Sequence, residues 1–81
     1  MKNIKLIVED INKTLPKKYF ILAAFTDKNR YVLALGHEDG DLDDNLYSCN
    51  LLGNDLKPLD ITGKENYYAN EVFKNNQVYS K

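Results

Sequence analysis

Residues 19–36 read YFILAAFTDKNRYVLALG, and this stretch decides the fold. From Tyr19 to Thr26 apolar residues stand at both parities, the pattern of a strand covered on both faces and placed centrally in its sheet. Asp27-Lys28-Asn29-Arg30 is turn chemistry, and Tyr31 to Gly36 resumes the apolar pattern, so the stretch predicts a hairpin with a four-residue connection. A lone hairpin is marginal in water, and the flanking sequence must supply the rest of a core.

Upstream, Ile4, Ile7, Val8, Ile11 and Leu15 recur at spacings of three and four, and Pro16 disfavours helical geometry at the residue before it. An amphipathic helix over residues 3–14 follows, with Asn3 as its cap, although Ile4, Leu6 and Val8 also alternate as a strand would. Downstream, LYSCNLL at 46–52 alternates, with Tyr47, Cys49 and Leu51 on one face and Ser48 and Asn50 on the other, a half-exposed strand. Gly53-Asn54-Asp55 is a turn, and Leu56-Lys57-Pro58-Leu59 is too short and too proline-bound for more than an edge strand. Thr62-Gly63-Lys64-Glu65 has the capping-box pattern. The helix it opens places Tyr68, Ala69, Val72 and Phe73 on one face, to about residue 75. The predicted whole is one α+β domain over residues 1–81: an N-terminal helix, a three- to four-stranded antiparallel meander, a C-terminal helix, and a frayed tail from Asn75 to Lys81.

Eighty-one residues with 43% apolar and 28% charged side chains suit one small core, not a disordered chain. A chain of this length buries roughly 60 to 65% of its unfolded surface, which leaves little room for a deep catalytic cleft. The single cysteine, Cys49, forms no internal disulfide, and Glu9 and Asp10 interrupt what would be the apolar region of a signal peptide. A cytoplasmic location is the expectation. The longest apolar run, Tyr19 to Phe25, is far short of the roughly 20 residues that span a bilayer, so no membrane association is expected.

Several of these pieces occur together elsewhere. Tyr31-Val32-Leu33 after a short turn, the acidic connection Glu38 to Asp44, the strand LYSCNLL, Leu56-Lys57-Pro58-Leu59, and a helix with Glu65, Tyr68 and Glu71-Val72-Phe73 together resemble the YrzB-like family of small bacterial proteins. The resemblance covers residues 19–75 and implies a meander followed by a helix, with no activity attached. This chain departs from that pattern in its N-terminal helix and in the fewer acids of its last helix. Asn45-Leu46-Tyr47 followed by Tyr67-Tyr68 resembles the C-terminal half of a phage-encoded anti-CRISPR inhibitor. That likeness implies an acidic surface occupying the nucleic-acid site of an effector.

The motifs that carry chemistry are incomplete. Asp39, Asp41 and Asp43 have the spacing with which a calcium loop begins, but Asp44 stands where the loop needs glycine and Asn50 where it needs glutamate. His37 and Cys49, each the only residue of its kind, match no zinc spacing. Cys49 reads as a buried, inert thiol and His37 as a surface side chain at a strand end. No G-x-S-x-G holds Ser48 or Ser80 for a triad, and Gly36, Gly40, Gly53 and Gly63 fit neither a P-loop nor a dinucleotide fingerprint. No enzyme, metal or cofactor is therefore expected. Lys17-Lys18-Tyr19-Phe20 is the nearest approach to a nucleic-acid motif, and a single arginine in a chain of net charge -1 argues against direct binding.

Charge distribution is more informative. Residues 1–30 carry seven bases and three acids, residues 31–60 one base and seven acids, and residues 61–81 three bases and two acids. Near-neutrality is a cancellation between a basic first third and an acidic middle. The acids Glu38, Asp39, Asp41, Asp43 and Asp44 fall within seven residues, a loop suited to steering toward a basic protein surface. Tyr67, off the apolar face of its helix, is the predicted anchor beside them. The expected function is a non-enzymatic protein-binding module of this kind, with a phage-type inhibitor among its forms. The alternative is a housekeeping structural or adaptor protein that pairs with a second copy through the third strand or the short edge.

Overall fold

The structure is a computed structural model that describes residues 3–37 and 42–76, and only the backbone of residues 42–45. The elements are α1 (Ile4–Thr14), β1 (Tyr19–Asp27), β2 (Arg30–His37), β3 (Leu42–Asn50), β4 (Lys57–Leu59) and α2 (Glu65–Lys74). The strands make one sheet in the order β1-β2-β3-β4, antiparallel throughout, so the predicted α+β meander with a helix at either end is what forms.

Alternation along the strands sends neighbouring side chains to opposite faces, and each face receives one helix. Val8 packs with Ile21, Ala24 and Leu33, and Ile7 with Tyr31 and Cys49, all on the α1 side. Tyr68 packs with Leu22, Phe25, Val32, Ala34 and Leu46 on the other side, joined by Leu59, Ile61 and Val72. An irregularity in the β1–β2 register between Ile21 and Ala23 lets Leu22 and Ala23 enter the same cluster. Asn3 caps α1 as its sequence predicts, accepting from the Lys5 amide at 2.8 Å.

Five expectations need correction. β1 lies at the edge of the sheet, not its centre: its apolar residues of both parities report helices on both faces, and its outer edge is closed by other means. The wholly buried Asn12 of α1 accepts from the Ile21 amide at 3.4 Å, and Ala23 makes an antiparallel bridge with Asn76. The hairpin connection is two residues, because Asp27 still pairs with Arg30; Lys28 takes a φ of 56° to make the turn. β3 is not half exposed: Leu46 and Ser48 are buried toward α2 and Cys49 toward α1, and the strand lies inside the sheet, with β4 paired to Leu46, Tyr47 and Ser48. No capping box forms. The Thr62 hydroxyl donates to Asp60 Oδ1 at 2.7 Å, and α2 starts at Glu65 behind an N-cap, Lys64, whose side chain makes no capping bond. Finally, Phe73 is 82% exposed and Ala69 is also exposed, so α2 buries only Tyr68 fully. Of the tail expected to fray, Asn75 and Asn76 are hydrogen-bonded to α2, and residues 77–81 lie outside the described residues.

Candidate functional site

The sheet register fixes where the described residues of the strand ends lie. At one end Asp27 pairs with Arg30 and Arg30 with Asn50; at the other Tyr19 pairs with His37 and Gly36 with Leu42. Glu38, Asp39 and Asp41 lie outside the described residues. Asp43 and Asp44 belong to β3 and not to a loop, because pairing of Leu42 with Gly36 carries the strand back through the acids. Tyr67 stands at the first end, its hydroxyl 3.4 Å from Asp27 Oδ1. A nine-residue strand at 3.3 Å per residue puts these ends about 25 Å apart.

What does converge is a polar cluster around the β1–β2 turn. Asp27 Oδ2 accepts from the Tyr68 hydroxyl at 2.5 Å while Oδ1 faces Tyr67, and the two tyrosine rings meet edge to face at 5.0 Å. The hydrogen bond to Asp27, followed by burial, pushes the Tyr68 hydroxyl up to about 12, so it serves Asp27 as a donor at neutral pH. Tyr67 is raised too, by partial desolvation and then by the Asp27 charge. Consecutive helical residues project about 100° apart, yet both reach one carboxylate because the turn lies beside the first turn of α2.

Arg30 braces the same end. Its Nε donates to Ser48 Oγ at 3.0 Å, and its Nη atoms reach Asp55 Oδ2 at 3.0 Å and the Asp55 carbonyl at 2.8 Å. One planar guanidinium thus ties β2, β3 and the turn before β4. The Arg30 hydrogen bond, then the Lys57 charge, hold the Asp55 carboxyl below the usual carboxylate range. Asp55 itself has a φ of 60°, and the turn it closes is organised by Asn50 Oδ1, which accepts from Leu52 and Asn54 at 2.9 Å each.

Between these groups lies a cleft of about 430 Å³, with Val32, Ser48 and Leu59 among its lining and Asp27, Arg30, Lys64 and Tyr68 among its polar groups. A second hollow of about 340 Å³ shares Asp27, Lys28, Lys64 and Tyr68 with it and reaches Tyr67. The charges lining the first are mixed, Lys28, Arg30 and Lys64 against Asp27 and Asp60. Ser48 Oγ is held by a guanidinium, which is a hydrogen-bond donor and not a base.

Cys49 is wholly buried, and burial pushes its thiol up against a smaller opposing pull from Arg30, as befits a packed side chain. His37 is half-buried and meets the Tyr19 ring edge to face at 5.0 Å. Among the described residues no group of three or more His, Cys, Asp and Glu side chains is placed to hold a metal ion, and no helix is long and apolar enough to cross a membrane. The sequence reading missed Asp27, Arg30 and Tyr68 as a cluster, having assigned the first two to turn chemistry and the third to the core. Their polarity beside an apolar strand was the one available signal. No protein-family model, curated protein or solved structure matches this chain.

Proposed function

We propose that this chain is a non-enzymatic protein-binding module that docks a basic surface of a partner protein through the acids of residues 38–44. The observation that carries this reading is the segregation of charge: five acids within seven residues, in a middle third with seven acids and one base. Such a density acts over about 8 to 10 Å at physiological ionic strength, enough to accelerate encounter with a basic patch and to reject acidic surfaces. The strand pairing supports the reading by bringing Leu42 beside Gly36, so that the backbone of Asp43 and Asp44 lies toward the end of β3 away from the Asp27–Arg30 turn. The compartment that suits the module is a reducing one, in which the lone Cys49 stays a thiol.

Within this class, the likeness to phage-encoded inhibitors favours an effector that handles nucleic acid, whose phosphate-binding surface is basic by construction. The test is a combined Asp39→Asn, Asp41→Asn, Asp43→Asn and Asp44→Asn variant, assayed for partner association as a function of salt. The association rate is expected to fall at least tenfold at low salt and its salt dependence to flatten. Unchanged affinity together with no salt dependence in the unaltered protein would overturn the reading.

A further inference from the structure

The cleft between the β1–β2 turn and α2 is unevenly supplied with hydrogen-bonding partners. Its carboxylates already receive donors: Asp27 from both tyrosine hydroxyls, and Asp60 Oδ1 from the Thr62 hydroxyl at 2.7 Å and the Thr62 amide at 3.0 Å. Arg30 is spent on Ser48 and Asp55. Lys28 and Lys64 are exposed, line both this cleft and the adjoining hollow, and neither ammonium has an ion-pair or hydrogen-bond partner among the described residues. Ser48, 2% exposed in the cleft wall, accepts from Arg30 Nε through Oγ, and the proton of that hydroxyl meets no acceptor among the described residues. At the rim, no side chain caps the first-turn amides of α2.

What remains unspent in the cleft is donors and positive charge, supplied by three separate elements: the β1–β2 turn, β3 and the start of α2. A carboxylate or phosphate brings what these groups lack, oxygen acceptors and negative charge. The lining charges agree in sign, since Lys28, Arg30 and Lys64 outnumber Asp27 and Asp60. Two further acids nearby do not reverse the balance: Asp55 is paired with Arg30 and Lys57, and Glu65 lines a different hollow with Ile61 and Val72. Val32 and Leu59 give the cleft an apolar wall, and its volume of about 430 Å³ falls within the range of about 300 to 1,000 Å³ for small-molecule sites. We infer that the cleft binds a small organic oxyanion, a carboxylate or a phosphate ester, with its head held by Lys28 and Lys64 and its body against Val32 and Leu59. The site uses none of the residues on which the docking reading rests.

The experiment is an amide NMR titration of the full chain with phenyl phosphate, with benzoate and with inorganic phosphate. Saturable shifts confined to the amides of residues 27–32, 48 and 59–68 are expected with phenyl phosphate, benzoate or both, and the tighter of the two identifies the head group. Inorganic phosphate, which has no body to bury, should bind about tenfold or more weakly than the tighter one. Lys28→Gln and Lys64→Gln together should weaken binding about tenfold or more, the loss of two charge-assisted hydrogen bonds. Lys57→Gln, which removes an exposed base outside the cleft lining, should leave binding unchanged. Both cleft lysines are exposed, and the spectrum of the double variant reports its fold directly. Absent or non-saturating shifts, shifts spread over lysines elsewhere in the chain, inorganic phosphate binding as tightly as either organic anion, or normal binding by the double variant would each overturn the inference.

Discussion

The two faces of the sheet are covered by helices of nearly equal length, 11 residues for α1 and 10 for α2, yet they are held by different physics. α1 presses Ile7, Val8 and Asn12 into the sheet, each no more than 1% exposed. α2 buries Tyr68 alone, leaves Phe73 in solvent, and is pinned at its first turn by the hydroxyl bond to Asp27. One helix is packed and the other is tethered. On the packed face Val8 meets Ile21, Ala24 and Leu33, and the tethered face leaves the open polar cleft beneath the N-terminus of α2.

The sharpest way to break this contrast is to truncate an apolar side chain to alanine on each face. Ile7→Ala should cost about 3 kcal/mol of unfolding free energy, the range for a buried Ile truncated in a small core, whereas half-buried Val72→Ala should cost about 1 kcal/mol. Urea unfolding followed by circular dichroism decides it, and equal costs would mean that α2 is packed as α1 is. Next in size is Asn12→Ala. Loss of its carbonyl leaves the buried Ile21 amide without that acceptor, at about 2 kcal/mol, and should speed hydrogen exchange at Ile21 before other β1 amides.

Tyr68→Phe tests the tether itself. Removing a hydroxyl that donates to a carboxylate should cost about 1.5 kcal/mol and loosen α2 with little effect on α1, visible as selective loss of amide protection. The same bond makes a pH prediction. The folded-state value of Tyr68 is raised to about 12 from an ordinary value of 10.0, so its contribution is complete below about pH 10. It is lost as the pH rises from there through 12. The unaltered protein should therefore lose stability in that window more steeply than Tyr68→Phe; parallel curves would show that the bond contributes nothing. The smallest expected effect is a gain: Lys64→Ser supplies the side-chain cap that α2 lacks and should add about 0.5 kcal/mol, read as a rise in the urea midpoint.

The order of elements was legible because hydrophobic period alone carries it, and Asn3 was legible as a cap because capping is a local contact. The position of β1 was not, since residues of both parities report what covers a strand's faces and are silent about its backbone edge. That edge is closed by Asn12, which sits on the same helical stripe as Val8 and Leu15 and reads as an interruption of it. The capping box misled because Thr62 has a nearer partner: Asp60, two residues back, takes both its hydroxyl and its amide, and holds it out of reach of the helix. Asp27 and Tyr68 meet across 41 positions, which no local pattern encodes. The acids of 38–44 were visible as charge, whereas the strand assignment of Asp43 and Asp44 depends on the β2–β3 register.

The bridge between Ala23 and Asn76 also sets a timetable for synthesis. α1 and the β1–β2 hairpin emerge first and join by contacts close in sequence, while the residue that covers Ala23 on the outer side of β1 is made more than fifty positions later. Until then a growing chain presents part of an apolar strand's backbone to whatever passes. On a crowded polysome the nascent protein is guarded along that edge by Asn12, which holds the Ile21 amide, so substitutions at that asparagine should lower yield in the cell by more than the loss of equilibrium stability accounts for.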